Sequence, residues 1–96
     1  MEVAIEHLGN SQFAVCARGH RAICDQPRDN GGSDAGMSPP DFLMVSLGSC
    51  AGYYAAQYLK TRGLSSRDLA VRVVAERPAQ PARIGSFRIE VRARIG

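Results

Sequence analysis

Among the 96 residues of this chain, Cys50 is the best candidate for a chemically reactive residue. It ends the run LGSC, residues 47 to 50, which follows a glycine-rich segment and a stretch of apolar side chains. A cysteine becomes a strong nucleophile once it is ionised, so this position favours thiol chemistry. The other interpretation is a packed core thiol, because an isolated cysteine among small apolar residues often serves only as a small hydrophobic group.

The remaining candidate ligands and nucleophiles are weaker. Cys16 and Cys24 lie on predicted strands, where a packed thiol is the favoured interpretation. His7 and His20 have no neighbouring cysteine or carboxylate at zinc-ligand spacing, so we expect neither a metal nor another cofactor. The first residues resemble no signal peptide, which predicts a cytoplasmic protein with reduced thiols.

A helix must position Cys50, and its start and end are well marked. Ser38 is the predicted N-cap, and Asp41 three residues later completes a capping box. Gly63 is the predicted left-handed stop, which gives a helix over residues 38 to 62. Apolar side chains leave little polar surface on any side of it, so we predict a central, buried helix.

A stripe of small residues runs along this helix through Gly48, Gly52 and Ala55 or Ala56. Such a stripe lets another backbone approach closely. The residues could simply admit bulky side chains from strands of the same chain, or they could contact a helix of a second subunit. We favour the second interpretation and predict an intertwined homodimer.

The rest of the chain predicts strands, in a single α+β domain over residues 1–96. Residues 2–26 alternate polar and apolar positions and predict a three-stranded meander with turns at the pairs GN and GH, residues 9–10 and 19–20. Residues 27–37 predict a mobile loop, and residues 68–95 a hairpin. The inner face of its second strand would carry Phe87, Ile89, Val91, Ala93 and Ile95.

Charge and hydropathy argue against a nucleic-acid-binding protein and against a membrane-spanning protein. The net charge of +3 comes mostly from arginine, and Arg88, Arg92 and Arg94 alternate on the last strand. Glu76 and Glu90 interrupt that pattern and aromatic residues are few, so we expect a solvated sheet face and no nucleic-acid partner. No apolar run approaches the roughly 18 residues that a membrane-spanning helix needs, so we expect no membrane partner.

The run GGSDAGMSPPDFLMVSLGSCAGYYAAQYLKTRGL, with the upstream RGHRAICDQP, closely resembles the OsmC/Ohr family of osmotically inducible and organic hydroperoxide resistance proteins. The combination of GG-x-D-x-G-x-S-P, LGSC and a closing RGL carries the resemblance over about residues 18–75. It implies an α+β fold in which antiparallel strands wrap central helices and two chains interlock. It also implies an antioxidant role in the stress response.

In active members of the family, the cysteine that matches Cys50 attacks a hydroperoxide and becomes a sulfenic acid. A second cysteine then resolves it through a disulfide, and an arginine held by a carboxylate lowers the pKa of the thiolate. The resemblance therefore implies a thiol peroxidase (an oxidoreductase) that reduces organic hydroperoxides at the expense of a thiol reductant. The alternative is a non-catalytic dimerisation or small-ligand-binding protein of the same fold.

This sequence departs from the family pattern in three ways. In the family, the resolving cysteine lies on a second long helix after the last strands, and this sequence stops at Gly96, where that helix should begin. We therefore expect either a shortened chain or a partner thiol from a small molecule or another protein. Asp41 matches the family carboxylate in one subfamily spacing, but it lies about 13 Å along the helix from Cys50 and on the opposite face, so it could act only through an arginine. No motif identifies that arginine among Arg18, Arg21 and Arg28.

Overall fold

The computed structural model of the chain describes residues 1–76 and 86–93. The helix and strands are β1 (Ala4–Gly9), β2 (Gln12–Ala17), β3 (His20–Cys24), α1 (Pro39–Thr61), β4 (Ala70–Glu76) and β5 (Ser86–Arg92). β1, β2 and β3 form one antiparallel sheet in that order, and β4 pairs with β5 in a second. This architecture confirms the α+β class. The chain divides into two compact units, Met1–Phe42 and Leu43–Gly96.

The three-stranded meander forms as predicted, but both of its turns are displaced by one residue. β1 continues through Gly9, so the first turn begins at Asn10, which has a φ of 47°. The second turn consists of Arg18 and Gly19, with φ values of 50° and 83°. Positive φ at both central residues is the signature of a tight primed turn, whose twist matches that of the strands. The turn predicted at residues 9–10 is therefore one residue too early, and the turn predicted at residues 19–20 is one residue too late.

The segment between β3 and α1 leaves the sheet and returns to it. It contains a short 3-10 helix at Arg28–Asn30, inside the predicted loop over residues 27–37. Met37 then forms a parallel bridge with Cys24, and the backbone N–H of Asp25 donates to the Met37 carbonyl at 3.1 Å. The two ends of the segment are thus hydrogen-bonded to each other immediately before α1 begins.

Asp25 anchors this segment from its interior. Its side chain is fully buried and accepts a hydrogen bond from the Ser11 hydroxyl at 2.5 Å. It also accepts from the backbone N–H groups of Gln26 at 2.7 Å and of Ser33 and Ala35 at 3.1 Å each. The Ser11 hydroxyl and these backbone donors lower the pKa of Asp25 from its ordinary value of 3.8 to about 2, against the opposing effect of burial.

Asp25 makes the stability of the fold sensitive to acid. Because its pKa is lower in the folded than in the unfolded state, the ionised group stabilises the fold fully above about pH 4, and this contribution is lost as the pH falls towards about 2. We expect Asp25→Asn to be less stable than the wild type at neutral pH and to lose this component of the acid dependence. Urea midpoints measured from neutral to acidic pH test this.

Asp29→Asn is the matched control, because Asp29 is an exposed residue of the same segment. It should keep the acid dependence of the wild type. Identical pH profiles for Asp25→Asn and the wild type would contradict the assignment of this dependence to Asp25.

The N-terminus of α1 is capped by the predicted capping box. The Asp41 carboxylate accepts from the backbone N–H of Ser38 at 3.0 Å and from its hydroxyl at 2.8 Å. The backbone N–H of Asp41 approaches the Ser38 hydroxyl oxygen at 3.4 Å in return. Ser38 is also buried, so this cap satisfies polar groups that have no water to bind.

The C-terminus of α1 is also closed as predicted, by Gly63 in the left-handed conformation with a φ of 67°. The N–H of Gly63 donates to the Lys60 carbonyl at 3.0 Å, and the N–H of Leu64 donates to the Leu59 carbonyl at 2.9 Å. These two bonds form a Schellman motif, which brings apolar residues on either side of the turn together. Leu59 is buried at this end of the helix.

The stripe of small residues on α1 faces a strand of the same chain. A Cβ atom at Gly48 would lie 2.7 Å from Val73 Cγ2, and one at Gly52 would lie 3.1 Å from Val71 Cγ2. The interpretation that the stripe contacts a helix of a second subunit is therefore wrong, because β4 already occupies it. The small residues admit bulky strand side chains, which was the alternative.

Within the single chain, α1 is not buried on every side. Only Gly48 and Leu59 of the helix are buried. Five large apolar or aromatic side chains are about half exposed or more: Leu43, Val45, Tyr53, Tyr54 and Tyr58. The sequence pattern identified an apolar helix, but this chain alone covers only one side of it.

The second sheet forms the predicted hairpin with shorter strands. Val71 pairs with Val91 and Val73 with Ile89, so these residues share one face of the sheet. Arg88 lies on the other face and forms an exposed ion pair with Glu90 at 3.2 Å. The predicted connection between the strands and the predicted positions of Arg94 and Ile95 fall outside the described residues.

Candidate functional site

Cys50 is exposed on the side of α1 that faces away from β4. Gly48 and Gly52 contact that strand, and each is two residues from Cys50, which is about 200° around a helix. The same geometry explains why a residue within an apolar run is open to solvent. An exposed thiol fits a reactive group better than the packed core thiol that was the alternative for this position.

The position of Cys50 along α1 gives it little help from the helix dipole. It lies 11 residues after Pro39, the first residue of the helix. The positive end of a helix acts mainly on its first turn, so it contributes little at this distance. A cation beside the sulfur is the remaining means of favouring a thiolate.

The other two thiols are poorly suited to react. Cys24 is buried, and burial together with the negative charges of Asp25 and Asp41 raises the pKa of its thiol. Cys16 is half-buried on β2, opposite Arg21 on β3. All three cysteines are free thiols. Of the three, Cys50 is therefore the one that is exposed.

Asp41 lies at the start of α1 and serves as the second half of the capping box. Its Oδ2 atom accepts both hydrogen bonds from Ser38, so this oxygen is committed to the cap. The carboxylate also lies close enough to Cys24 to disfavour the thiolate there. Asp41 and Cys50 are both on α1, and their separation by nine positions along the helix prevents direct contact.

The three candidate arginines occupy three different local settings. Arg18 is in the turn between β2 and β3, and Arg21 is an exposed residue of β3. Arg28 begins the 3-10 helix. All three belong to the unit Met1–Phe42, whereas Cys50 belongs to Leu43–Gly96.

One face of the meander forms an apolar cavity of about 680 Å³. Val3, Ile5, Phe13 and Val15 line it, together with Phe42 from the first turn of α1. Val3 and Ile5 are more than 60% exposed, so this side of the sheet lacks a cover in the single chain. Exposed apolar surface of this extent is typical of a contact or binding face.

Sequence reasoning missed Asp25 as a residue that organises the segment before α1. The available signal was a carboxylate placed directly after an apolar strand and before a segment rich in glycine, whose backbone N–H groups need acceptors. Its partners are 8 to 14 residues away, apart from Gln26, so no local spacing rule identifies them.

The described residues contain no helix long and apolar enough to cross a membrane. Across the same residues, no group of three or more His, Cys, Asp or Glu side chains is placed to hold a metal ion. Thiol chemistry at Cys50 needs neither a membrane-spanning helix nor a metal ion.

The fold and the exposed cysteine on its long helix define an OsmC-like protein. The model of the OsmC-like protein family matches residues 31–96, which include all of α1 and Cys50. The chain therefore belongs to the OsmC-like family, as its sequence motifs predicted.

A solved structure shows the same fold. It is the crystal structure of a protein from Psychrobacter arcticus 273-4 assigned as an osmotic stress induced and detoxification response protein. The TM-score is 0.82 with 22% sequence identity over 93% of this chain. The aligned part is 66% of that structure, so this chain spans just under two thirds of its length. A search of curated proteins finds no match.

Proposed function

We propose that this protein reduces organic hydroperoxides through Cys50, with a thiol as the electron donor. The observation that carries the proposal is the exposure of Cys50 within the segment matched by the family model. The detoxification role assigned to the structural relative agrees with it. The free state of all three thiols suits the reducing environment of the cytoplasm, where we place the protein.

The proposed reaction begins with the Cys50 thiolate, which attacks the terminal oxygen of the hydroperoxide. A sulfur–oxygen bond forms and the oxygen–oxygen bond breaks, so the sulfur loses two electrons and becomes a sulfenic acid. The substrate gains these electrons and leaves as an alkoxide, which takes a proton and becomes an alcohol. The net change is one thiol and one hydroperoxide giving one sulfenic acid and one alcohol.

An external thiol completes the cycle in this proposal. Its sulfur attacks the sulfenic acid, forms a mixed disulfide with Cys50 and releases water. A second external thiol then displaces Cys50 from the disulfide and restores the starting thiol. Neither Cys16 nor Cys24 is needed for this route, which is consistent with their partial or complete burial.

Asp41 has a positioning role in the proposal. Its Oδ2 atom caps α1, and its other oxygen is available to hold the guanidinium group of an arginine. An arginine held in this way would lower the pKa of a thiol beside it. Arg18, Arg21 and Arg28 are the candidates for that arginine.

The experiment that tests the function is consumption of cumene hydroperoxide by the reduced protein with dithiothreitol as the donor. We expect many equivalents of peroxide to disappear per chain, with stoichiometric formation of the alcohol. Consumption that stops after one equivalent would show an oxidisable thiol without turnover and would contradict the proposal.

We further propose that the protein is a homodimer, as the family resemblance implies. The support in this structure is the uncovered apolar face of the meander, which includes Val3, Ile5 and Phe13. A second copy would remove this surface from water, which is the main driving force for association of this kind.

The dimer predicts a mass in solution of twice the chain mass of 10.3 kDa, measurable by sedimentation at micromolar concentration. Ile5→Glu should shift the protein towards the monomer, because it places a charge on the apolar face. Ala4→Glu is the matched control, since Ala4 is exposed on the opposite face of the same strand. A wild-type protein that sediments as a monomer would contradict the dimer.

The apolar cavity also favours a second candidate function, which is the binding of a small apolar molecule without catalysis. This function predicts a monomer that binds a fluorescent apolar probe and consumes no peroxide. Replacing Val15 with aspartate inside the cavity should then abolish probe binding. Sustained turnover by a dimer would exclude this candidate as the main function.

A further inference from the structure

An asparagine followed by two glycines lies in the segment between β3 and α1. The chain contains two asparagines, and the second of them, Asn30, is followed by Gly31 and Gly32. Asn30 ends the 3-10 helix and is exposed. An Asn–Gly pair is chemically labile, because the next backbone nitrogen can attack the side-chain amide carbon and glycine has no side chain to hinder that approach.

The contacts around Gly31 leave room for this attack. Gly31 has a φ of 85°, and a Cβ atom there would meet none of the described atoms within 4 Å. Its N–H donates to the Arg28 carbonyl at 3.3 Å, which is longer than the usual range for such a bond, so this donor is weakly held. The Asn30 Nδ2 donates to Gln26 Oε1 at 2.8 Å in an exposed position. These are weak restraints on the two reacting groups.

Asn10 provides a comparison within the same chain, because its surroundings oppose the reaction. It lies in the tight turn between β1 and β2, and its carbonyl accepts a hydrogen bond from His7 Nε2 at 2.8 Å. The next residue is Ser11, whose hydroxyl donates to the buried carboxylate of Asp25. A side chain held in this way hinders the approach of the Ser11 backbone nitrogen to the Asn10 amide carbon.

We propose that Asn30 is a site of spontaneous deamidation, in a reaction that does not depend on the peroxidase function. The backbone nitrogen of Gly31 forms a bond to the side-chain amide carbon of Asn30. The bond from that carbon to Nδ2 breaks, and Nδ2 leaves as ammonia with the proton from Gly31. Water then opens the resulting succinimide ring, at one carbonyl to aspartate and at the other to isoaspartate, with no change of oxidation state.

Isoaspartate disrupts the segment between β3 and α1. It carries the chain through its side-chain carbon, which adds one methylene group to the backbone between positions 30 and 31. The backbone that follows is closely fitted, since a Cβ atom at Gly32 would overlap the carbonyl oxygen of Gln26. The added atom displaces Gly32 from this contact. The hydrogen bonds that Ser33 and Ala35 donate to Asp25 then weaken as well.

The test ages the reduced wild type in warm, mildly alkaline buffer and measures peptide masses. Deamidation raises the mass of the peptide that contains Asn30 by about 1 Da. A protein isoaspartyl methyltransferase with labelled S-adenosylmethionine then counts the isoaspartate. We expect both signals at Asn30, with a rate at least about tenfold that at Asn10. Asn30→Gln is the matched control and should remain unmodified at this position, because glutamine would have to close a less favourable six-membered ring.

Asn30→Asp separates the effect of charge from that of the backbone. It has the charge of the deamidated chain, one unit below the wild-type value of +3, with a backbone of normal length. Its urea midpoint should match that of the wild type, because it loses one exposed hydrogen bond to Gln26. The deamidated fraction of the aged wild type, isolated by ion exchange, should unfold at a lower urea concentration in proportion to its isoaspartate.

Three results would overturn the inference. The first is an aged wild type that gains no mass at Asn30, and the second is an equal rate of gain at Asn10. The third is a deamidated fraction rich in isoaspartate that keeps the urea midpoint of the fresh protein. Peroxide consumption is not a readout in these measurements, so a failure of the peroxidase function leaves the inference intact.

Discussion

Cys50→Ser should lose thiol-dependent consumption of cumene hydroperoxide almost completely, with a fall in rate of at least about a hundredfold. A serine hydroxyl at this position is not ionised near neutral pH and cannot be oxidised to a sulfenic acid, so the first step of the cycle disappears. Because Cys50 is exposed, the substitution should change the free energy of unfolding by no more than about 0.5 kcal/mol. Loss of activity would therefore report on chemistry and not on folding.

The matched controls are the same substitution at the other two cysteines. Cys24→Ser and Cys16→Ser should each keep the peroxide consumption of the wild type, because burial and two negative charges already disfavour the Cys24 thiolate and Cys16 is half-buried. Activity that survives in Cys50→Ser but disappears in Cys24→Ser would move the reactive thiol into the meander and contradict the assignment.

Gly36→Ala should destabilise the fold strongly, by about 2 to 4 kcal/mol. A Cβ atom at Gly36 would overlap the backbone carbonyl oxygen of Ile23 and lie 2.7 Å from its carbonyl carbon. Backbone atoms cannot rotate away as the end of a side chain can, so the chain must shift on one side of the contact. The bridge between Met37 and Cys24, next to this contact, should then weaken.

Gly19→Ala is the control for Gly36→Ala. A Cβ atom at Gly19 would meet no atom within 4 Å, so the cost there comes only from its φ of 83° and should be about 1 kcal/mol. Urea denaturation of the two variants measures the difference. Equal destabilisation of the two variants would contradict the close approach to Ile23 as the cause of the cost at Gly36.

The ends of α1 could be predicted from sequence because they depend on neighbours in the chain. Ser38 and Asp41 are three residues apart, and Gly63 needs only its own backbone freedom to form the stop. The strand pattern of the meander was equally local. Its turns were displaced by one residue because both Asn10 and Arg18 adopt positive φ values, and arginine rarely does so.

The parts that sequence reasoning missed depend on contacts between distant residues. The spacing of Gly48 and Gly52 showed that something must approach α1 closely, but not that Val73 and Val71 of the same chain do so. Asp25 was missed for the same reason, since its partner Ser11 is 14 residues away. The exposure of Cys50 follows from which side of the helix the strand covers, so it too required the tertiary structure.

The most direct test of the peroxidase function is to find where a peroxide oxidises the protein. The reduced protein would receive one equivalent of cumene hydroperoxide in the presence of dimedone, which forms a stable adduct with a sulfenic acid, and peptide masses would locate the adduct. We predict an adduct on Cys50 and none on Cys16 or Cys24. An adduct on Cys24, or no adduct on Cys50 under excess peroxide, would contradict the function proposed for this protein.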